Sequence, residues 1–260
     1  MTAEELASAI RRHPRYYASL AGLPEQVERM DPRVRTTFTE LDQIFPDAAF
    51  PAVYFFVGNL EAGGLTRPVG LLIAVETFGR TSQTDLGEFQ NGHSLQELTD
   101  LPHLVAHELA HFQQALVQGV ENYRAVYGDR QSLLALAIRE GSADFLAELI
   151  SGGHTNDRAH SYGMRHEDEL WATFSEAMMQ REPGDWMWTR PANPAWPPDL
   201  GYFIGYRITQ AYYEAAPDKA RAVHEILGVT DYERFLESSG YADRPRRTSA
   251  SGAVVDQAVF

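Results

Sequence analysis

The segment LPHLVAHELAHFQQ, from Leu101 to Gln114, places two histidines and a glutamate inside an apolar run with helix-forming character. His107 and His111 are four positions apart, so on a helix they lie about one turn from each other on the same face. Two imidazoles with this spacing can converge on one ion, as tetrahedral zinc requires. Glu108 projects to the adjacent edge, where a carboxylate can take a proton from a water molecule without being a ligand.

Two simpler explanations of this segment compete with a metal site. A pattern of three residues occurs by chance in some chains of this length, and two histidines on a helix surface would look the same. The residues three or four positions from the polar trio are nevertheless largely apolar, among them Leu104, Val105, Phe112 and Ala115. Burying polar groups along an apolar stripe costs free energy unless a partner satisfies them. We therefore expect the trio to hold a metal ion.

A third ligand is predicted in the segment REGSADF, Arg139 to Phe145. Glu140 and Asp144 are again four positions apart and share a stripe of leucine and alanine side chains. Glu140 would complete a set of two histidines and one glutamate. Asp144 would accept a hydrogen bond from the free ring nitrogen of a ligand histidine, with His107 the favoured partner. The alternative is that both carboxylates pair with arginines or reach solvent at the helix edge.

Five further histidines compete as ligands: His93, His103, His154, His160 and His166. His103 lies one turn before His107 and is the one that could extend the row of imidazoles. We interpret all five as surface or capping residues, because a lone histidine carries no metal signature.

The elements that must position these residues follow from local signals in the sequence. Helices are predicted over 3–12, 31–45, 101–118, 131–150, 164–180, 200–216, 217–227 and 231–238. Pro14 is expected to break the first helix, and Pro32 to lie in the first turn of the second. Residues 50–58 and 68–79 are rich in β-branched and aromatic side chains and predict two strands. Residues 79–94 predict a polar loop, and 182–200, with five prolines and three tryptophans, a loop of fixed shape.

This order of elements predicts an α+β, predominantly helical fold. A small N-terminal sheet is followed by the active-site helix and a C-terminal helical lobe. We expect one catalytic domain over residues 1–240, with an N-terminal lobe to about residue 119 and the helical lobe from about 120 to 240. The tail 241–260 shows no helical period, which is typical of a mobile segment.

Composition excludes several classes of protein. The chain has 260 residues, no cysteine and a formal net charge of −14. Disulfides, thiolate metal sites and a cysteine nucleophile are therefore excluded. The negative charge repels nucleic acid and anionic membrane surfaces. No run of residues reaches the length of a membrane span, and the N-terminus has no signal-peptide pattern. The compartment stays open between cytoplasm and periplasm, and an extracytoplasmic location is favoured if the N-terminus has been trimmed.

HELAH followed by EGSAD resembles the gluzincin metallopeptidases. Together with LPHLVAHELAHFQQ and GYFIGYRITQAYYE, these motifs are similar to bacterial zinc-dependent proteases of unknown function, which are distantly similar to a gliding-motility lipoprotein. The resemblance covers roughly residues 30–240. It implies a zincin-like fold and one zinc ion per chain, held by His107, His111 and Glu140. It also implies that Glu108 is the general base and that Asp144 supports a ligand histidine.

The resemblance implies two further features of an active site. In such folds a strand edge above the active-site helix binds an extended peptide, and Val69–Thr77 is the candidate, with a plain core strand as the alternative. Gluzincins also supply an oxyanion donor from the C-terminal lobe. Tyr206 is favoured here and Tyr202 is close behind, against aromatic core packing as the alternative. The 28 residues between His111 and Glu140 exceed the spacing of some aminopeptidases and predict an excursion over 119–130 that walls the cleft.

The leading hypothesis is a zinc peptidase that acts on a peptide or protein substrate. A zinc-binding scaffold without hydrolytic activity is the first alternative, and its contact surface would be the loop from Trp186 to Trp196. The intact Glu108 argues against it, because a ligand-only site has no use for a general base. A hydrolase of non-peptide amides is the second alternative. Substrate, cleavage specificity and oligomeric state do not follow from the sequence.

Overall fold

A computed structural model of the chain describes residues 1–82, 84, 86–89, 95–128 and 131–246. Within these residues the chain forms a predominantly helical α+β fold with one small sheet, as the sequence predicted. The α-helices are α1 (Ala3–Arg12), α2 (Pro14–Ser19), α3 (Leu23–Ile44), α4 (Leu101–Gln118), α5 (Val120–Ala125), α6 (Leu133–Ser151), α7 (Asp157–Ala177), α8 (Leu200–Ala215), α9 (Lys219–Leu227) and α10 (Tyr232–Ser239).

The sheet has three strands rather than the predicted two: β1 (Val53–Phe56), β2 (Gly64–Arg67) and β3 (Gly70–Ala74). Its order is β1-β3-β2, with β1 parallel and β2 antiparallel to β3. The sequence GLTR of β2 lacks the run of β-branched and aromatic residues that marks a strand, so this element was missed.

The prediction that Val69–Thr77 offers a free strand edge is wrong. The strand within it, β3, is central and is paired with β1 on one side and with β2 on the other. The segment also leaves the sheet after Ala74, because Val75–Phe78 forms a short 3-10 turn. The alternative of a core strand is therefore the correct one. Of the two outer strands, β2 is the one that packs against α4.

Helix α3 begins eight residues earlier than the predicted start at residue 31. Pro32 lies inside the helix rather than in its first turn, and the helix starts with Leu23. An interior proline costs about 3 kcal/mol because it removes a backbone donor and crowds the preceding turn. Leu23 and Val27 are buried on the same side of the fold as Val34 and Leu41. Burial of this upstream turn outweighs the local penalty, since packing rather than propensity stabilises most helices in proteins.

Helices α6 and α8 cross in direct backbone contact at a pair of glycines. A side-chain carbon on Gly205 would lie 1.7 Å from the carbonyl oxygen of Ala137. A side-chain carbon on Gly141 would lie 2.1 Å from the backbone nitrogen of Tyr206. Both positions therefore require glycine, because any larger residue would separate the two helices. The crossing sets Glu140, next to Gly141, against the N-terminal half of α8.

Helix α4 packs on β2 and β3 and also against α3 and α6, so it lies between the sheet and the helical lobe. It ends at Gly119, which has a positive φ of 81°. The excursion predicted over 119–130 contains α5, and its last two residues are outside the described part of the chain. So are several residues of the loop 79–94 and residues 247–260, most of the predicted mobile tail. Among the helices described, none combines the length and apolar character needed to cross a lipid bilayer.

Candidate metal centre

The two histidines of α4 meet at a buried point on one face of the helix. His107 and His111 are 6% and 4% exposed, and their ring centroids are 4.5 Å apart. Their Nε2 atoms are separated by 2.9 Å. The two imidazoles, four positions apart on the helix, therefore converge as the sequence predicted.

Glu140 reaches the same point from α6. Its Oε2 lies 3.1 Å from Nε2 of His111 and 3.5 Å from Nε2 of His107. Among the described residues these three form the one group of histidine, aspartate and glutamate side chains arranged to hold a metal ion. The structure thus brings together the three residues that the sequence proposed as ligands.

The far nitrogen of each imidazole is held by a fixed acceptor. Asp144 Oδ1 lies 2.7 Å from Nδ1 of His107, and Gln114 Oε1 lies 2.8 Å from Nδ1 of His111. The amide of Gln114 is oriented by its own donation to the Arg139 carbonyl oxygen. When each Nδ1 donates to its acceptor, each neutral ring carries a lone pair on Nε2. The Asp144 contact is the one expected from the sequence, whereas that of Gln114 was missed.

The donor set fits a tetrahedral divalent metal. Two Nε2 lone pairs and one carboxylate oxygen face one another across 2.9, 3.1 and 3.5 Å. Such an arrangement is unfavourable unless a proton or a cation lies between the three atoms. Tetrahedral zinc with bonds of about 2.0–2.1 Å holds its ligand atoms about 3.3 Å apart. The three side chains therefore need no rearrangement beyond a few tenths of an ångström to hold such an ion.

Electrostatics in the cluster also favour a positive charge. Burial opposes a charge on His107, but Asp144 and Glu140 outweigh it and hold the pKa of this ring well above its ordinary value. Burial also opposes ionisation of Glu140, but His111 and His107 hold the pKa of its carboxyl well below the usual range. The carboxylates of Glu140 and Asp144 contact imidazoles and hydroxyls rather than arginines, and both side chains are buried. Neither form of the alternative, pairing with arginines or exposure to solvent, therefore applies.

The general-base candidate Glu108 is held by strand β2. Thr66 Oγ1 lies 2.9 Å from Oε2 of Glu108 and 2.8 Å from its backbone oxygen. A side-chain carbon on Gly64 would lie 2.6 Å from both Cγ and Oε1 of Glu108. The strand therefore supplies both a hydroxyl donor and the space that the glutamate occupies. Neither residue was identified from the sequence, because nothing local links β2 to α4.

The two tyrosines proposed as oxyanion donors are placed differently. The ring of Tyr202 stacks on that of His107 at 6.2 Å, and its hydroxyl accepts the indole N–H of Trp188. The hydroxyl of Tyr206 donates to Glu148. Burial, followed by Glu140, raises the pKa of Tyr202 well above its ordinary value, so its hydroxyl keeps its proton. Both tyrosines border a small pocket beside Asp144, but only Tyr202 contacts a histidine of the cluster.

The competing histidines that the structure describes lie outside the cluster. His103 Nδ1 contacts Ser151 Oγ at 2.7 Å, and the rings of His154 and His160 stack on each other at 3.6 Å. His166 stacks on Tyr162. His93 falls outside the described residues.

Two further hydroxyl groups support the cluster and were not found from the sequence. Tyr127 donates to Oε1 of Glu140 at 2.7 Å, and Thr155 donates to Oδ1 of Asp144 at 2.6 Å. Burial, followed by Glu140, raises the pKa of Tyr127 well above its ordinary value. Of the missed supports, only Gln114 had a local signal, since it lies three positions after His111 on the same helix.

The family model for gliding motility protein GldB matches residues 15–243 of the chain. This span contains the sheet and all of the helices that build the cluster, so the chain belongs to the gliding motility protein GldB family. The match confirms the distant similarity to a gliding-motility protein that the motifs indicated. No curated protein and no solved structure matches the chain. The relation to gluzincin peptidases stays a prediction.

Proposed function

We propose that the protein is a zinc-dependent hydrolase of peptide bonds with a zincin-like architecture and a gluzincin ligand set. The observation that carries this proposal is the convergence of His107 Nε2, His111 Nε2 and Glu140 Oε2 within 3.5 Å of one another. The fixed acceptors on both Nδ1 atoms strengthen it, because they turn the lone pairs of the two rings toward the common point.

Zinc held at this point would polarise a substrate carbonyl and acidify a water molecule. Glu108 accepts a proton from the attacking water on its carboxylate and later gives it to the leaving amine, so that water and amide become acid and amine. The one hydroxyl hydrogen of Thr66 is shared between Oε2 of this carboxylate and the Glu108 backbone oxygen. The other oxygen, Oε1, is then the one available for the proton.

Tyr202 is the better-placed donor for the oxyanion. Its ring lies on His107, and its hydroxyl oxygen already accepts a hydrogen bond from Trp188, which leaves its own hydrogen for another acceptor. Tyr206 would first have to release Glu148. This order reverses the preference that the sequence suggested, for the physical reason that a hydroxyl donates only one hydrogen.

The outer edge of β2, with which no other strand pairs among the described residues, supports an extended peptide as the substrate. This strand lies at the end of the sheet and contacts Glu108 through Thr66. An extended peptide that pairs with the edge would run past the general base. The same edge would serve less well for a compact amide, which cannot form a ladder of main-chain hydrogen bonds.

Metal analysis and a peptide-library digest test the proposal together. We expect about one zinc per chain and cleavage that a chelator abolishes. Glu108→Gln should keep zinc and lose hydrolysis by at least about a hundredfold, whereas Glu140→Ala should lose zinc. Bound zinc without cleavage of any peptide would favour the non-hydrolytic scaffold, and cleavage restricted to small amides would favour the amide hydrolase. Full activity of Glu108→Gln would exclude the role given to that residue.

A further inference from the structure

Two aromatic side chains remain half-exposed beside the buried cluster. Tyr127 is 43% exposed and Trp188 is 50% exposed, and their ring centroids lie 6.3 Å apart at an angle of 41°. Tyr127 follows α5, and Trp188 belongs to the loop of residues 182–200 that is rich in tryptophan and proline. Two separate segments of the chain thus contribute one aromatic surface, which we call the Tyr127–Trp188 surface.

Each of these rings is tied to a residue of the cluster by its polar end. The Tyr127 hydroxyl donates to Glu140 at 2.7 Å. The Trp188 indole N–H donates to the Tyr202 hydroxyl at 2.9 Å, and the Tyr202 ring lies on His107. The polar atoms therefore point toward the candidate metal centre, and the exposed remainder of both rings is apolar. The surface therefore lies directly beside the candidate metal centre.

The backbone of Trp188 is held in an unusual conformation. Its φ is 58°, a left-handed value that costs a bulky residue about 1–3 kcal/mol. The backbone N–H of Trp188 donates to Oδ1 of Asp199 at 2.6 Å, and Asp199 itself has a φ of 66°. Trp186 and Trp196, from the same loop, pack on each other at 4.9 Å in or against the core. The loop is therefore anchored on both sides of the one tryptophan that it turns outward.

We propose that the Tyr127–Trp188 surface binds an apolar, preferably aromatic, side chain of the peptide substrate next to the bond that is cleaved. This inference rests on the proposed function, because it names the substrate class of the same site. Exposed aromatic rings beside a binding site hold apolar side chains through buried area and ring contacts. The carboxyl groups of Glu140 and Asp199 lie beside this surface, since each is hydrogen-bonded to one of its two residues, so acidic side chains are disfavoured there.

A selectivity measurement on the zinc-loaded protein tests this surface. Peptides that differ at one position in Phe, Leu, Ala, Lys or Glu are digested by the wild type, by Trp188→Ala and by Trp188→Phe. We expect the wild type to prefer Phe over Ala by about tenfold or more in kcat/KM, a margin typical of an apolar pocket. Both variants remove the indole N–H that the Tyr202 hydroxyl accepts, so the rates with all peptides are expected to fall. The ratio of kcat/KM for the Phe and Ala peptides is therefore the readout: it should fall toward one in Trp188→Ala and stay close to the wild-type ratio in Trp188→Phe. Tyr54→Ala, at another exposed aromatic residue, is the control.

Binding to the Glu108→Gln protein gives a second measurement that does not depend on turnover. The Phe and Ala peptides are titrated while tryptophan fluorescence is recorded, with zinc content checked in each variant. The inference is supported if the wild-type surface binds the Phe peptide more tightly than the Ala peptide and Trp188→Ala removes this difference. If that result is obtained but no peptide is cleaved, only the proposed function fails. Equal selectivity in wild type and Trp188→Ala overturns the inference, as does a preference for Lys or Glu that Trp188→Ala removes.

Discussion

Thr66 Oγ1 lies 2.9 Å from Oε2 of Glu108, so an edge strand of the sheet fixes the carboxylate that α4 presents beside the histidines. A charged carboxylate gains up to about 1.5–3 kcal/mol from such a hydrogen bond, and Thr66 shares its one hydrogen with the Glu108 backbone oxygen at 2.8 Å. The contact also leaves one oxygen of the carboxylate anchored and the other free. The position of the proposed general base is therefore a property of two elements rather than of the helix alone.

We expect Thr66→Val to reduce kcat by about ten- to hundredfold, because the isosteric side chain keeps its volume and loses the hydroxyl. Zinc content should stay close to that of the wild type, since Thr66 contacts no ligand. The melting temperature should fall by only a few degrees, because the buried Glu108 carboxylate loses one partner. Steady-state kinetics on one peptide substrate provide the measurement. Thr66→Ser is the matched control and should recover most of the activity. Undiminished kcat in Thr66→Val would show that β2 does not position the base.

Tyr127→Phe should weaken zinc binding by about ten- to hundredfold, the usual effect of removing a hydrogen bond to a ligand. The hydroxyl of Tyr127 is the donor to Oε1 of Glu140, and its loss leaves a buried carboxylate oxygen without that partner. Competition with a chromogenic chelator measures the affinity. Tyr54→Phe, which removes a hydroxyl from an exposed ring, serves as the control. An unchanged zinc affinity would show that Tyr127 does not support the ligand Glu140.

Gly205→Ala should prevent α6 and α8 from packing as they do. The added carbon would lie 1.7 Å from a backbone oxygen, and backbone cannot move aside as a flexible side chain can. We expect a loss of more than about 3 kcal/mol in the free energy of unfolding, or a protein that does not fold. Urea denaturation followed by circular dichroism measures it. Gly22→Ala is the control, because its nearest atom is the end of a glutamine side chain at 3.9 Å. Equal stability of both variants would contradict the close crossing.

Asp199→Asn should raise the melting temperature of chelator-treated protein at pH 7. Burial raises the pKa of Asp199, with the Trp188 backbone N–H opposing it, so the folded state binds this proton more tightly than the unfolded state. The stability from that proton is complete below the unfolded pKa of about 3.9 and is lost as pH rises through the folded value. Asparagine avoids the loss and still accepts the hydrogen bond from Trp188.

The difference in melting temperature between Asp199→Asn and the wild type should therefore shrink as the pH falls below about 4. Thermal denaturation between pH 3 and pH 7 tests this course. Asp47→Asn removes one charge at an exposed position and controls for the change in net charge. If the difference in melting temperature widened toward acid pH, the folded state would stabilise the ionised carboxylate of Asp199, contrary to the prediction.

The residues of the candidate centre were predictable from the sequence because each pair lies four positions apart on one helix. His107 with His111, and Glu140 with Asp144, share a helical face whatever the helices pack against. The apolar residues around them indicated burial, and burial of polar groups indicated a common partner. Most helices were predictable for the same reason, since the 3.6-residue period and the capping residues are local signals.

Predictions failed where a distant segment decided the outcome. The start of α3 was misplaced because burial of Leu23 and Val27 outweighs the helix-breaking effect of Pro32. The edge strand was misplaced because the segment GLTR pairs with β3 despite its weak strand signal. The crossing of α6 and α8 depends on Gly205 meeting Ala137, two residues far apart in the chain. Such contacts produce neither a periodic pattern nor a motif in the sequence.

The amino-acid sequence by itself determined which side chains can converge on one ion, because the α-helix fixes the geometry of residues four apart. Only the tertiary structure decided which hydroxyls hold those side chains. Thr66, Tyr127 and Thr155 reach the centre from a strand and two connecting segments. The tertiary structure also turned Tyr202 toward His107 and engaged Tyr206 with Glu148. The reason is physical: the position of one element against another depends on packing over the whole core, which no single stretch of sequence encodes.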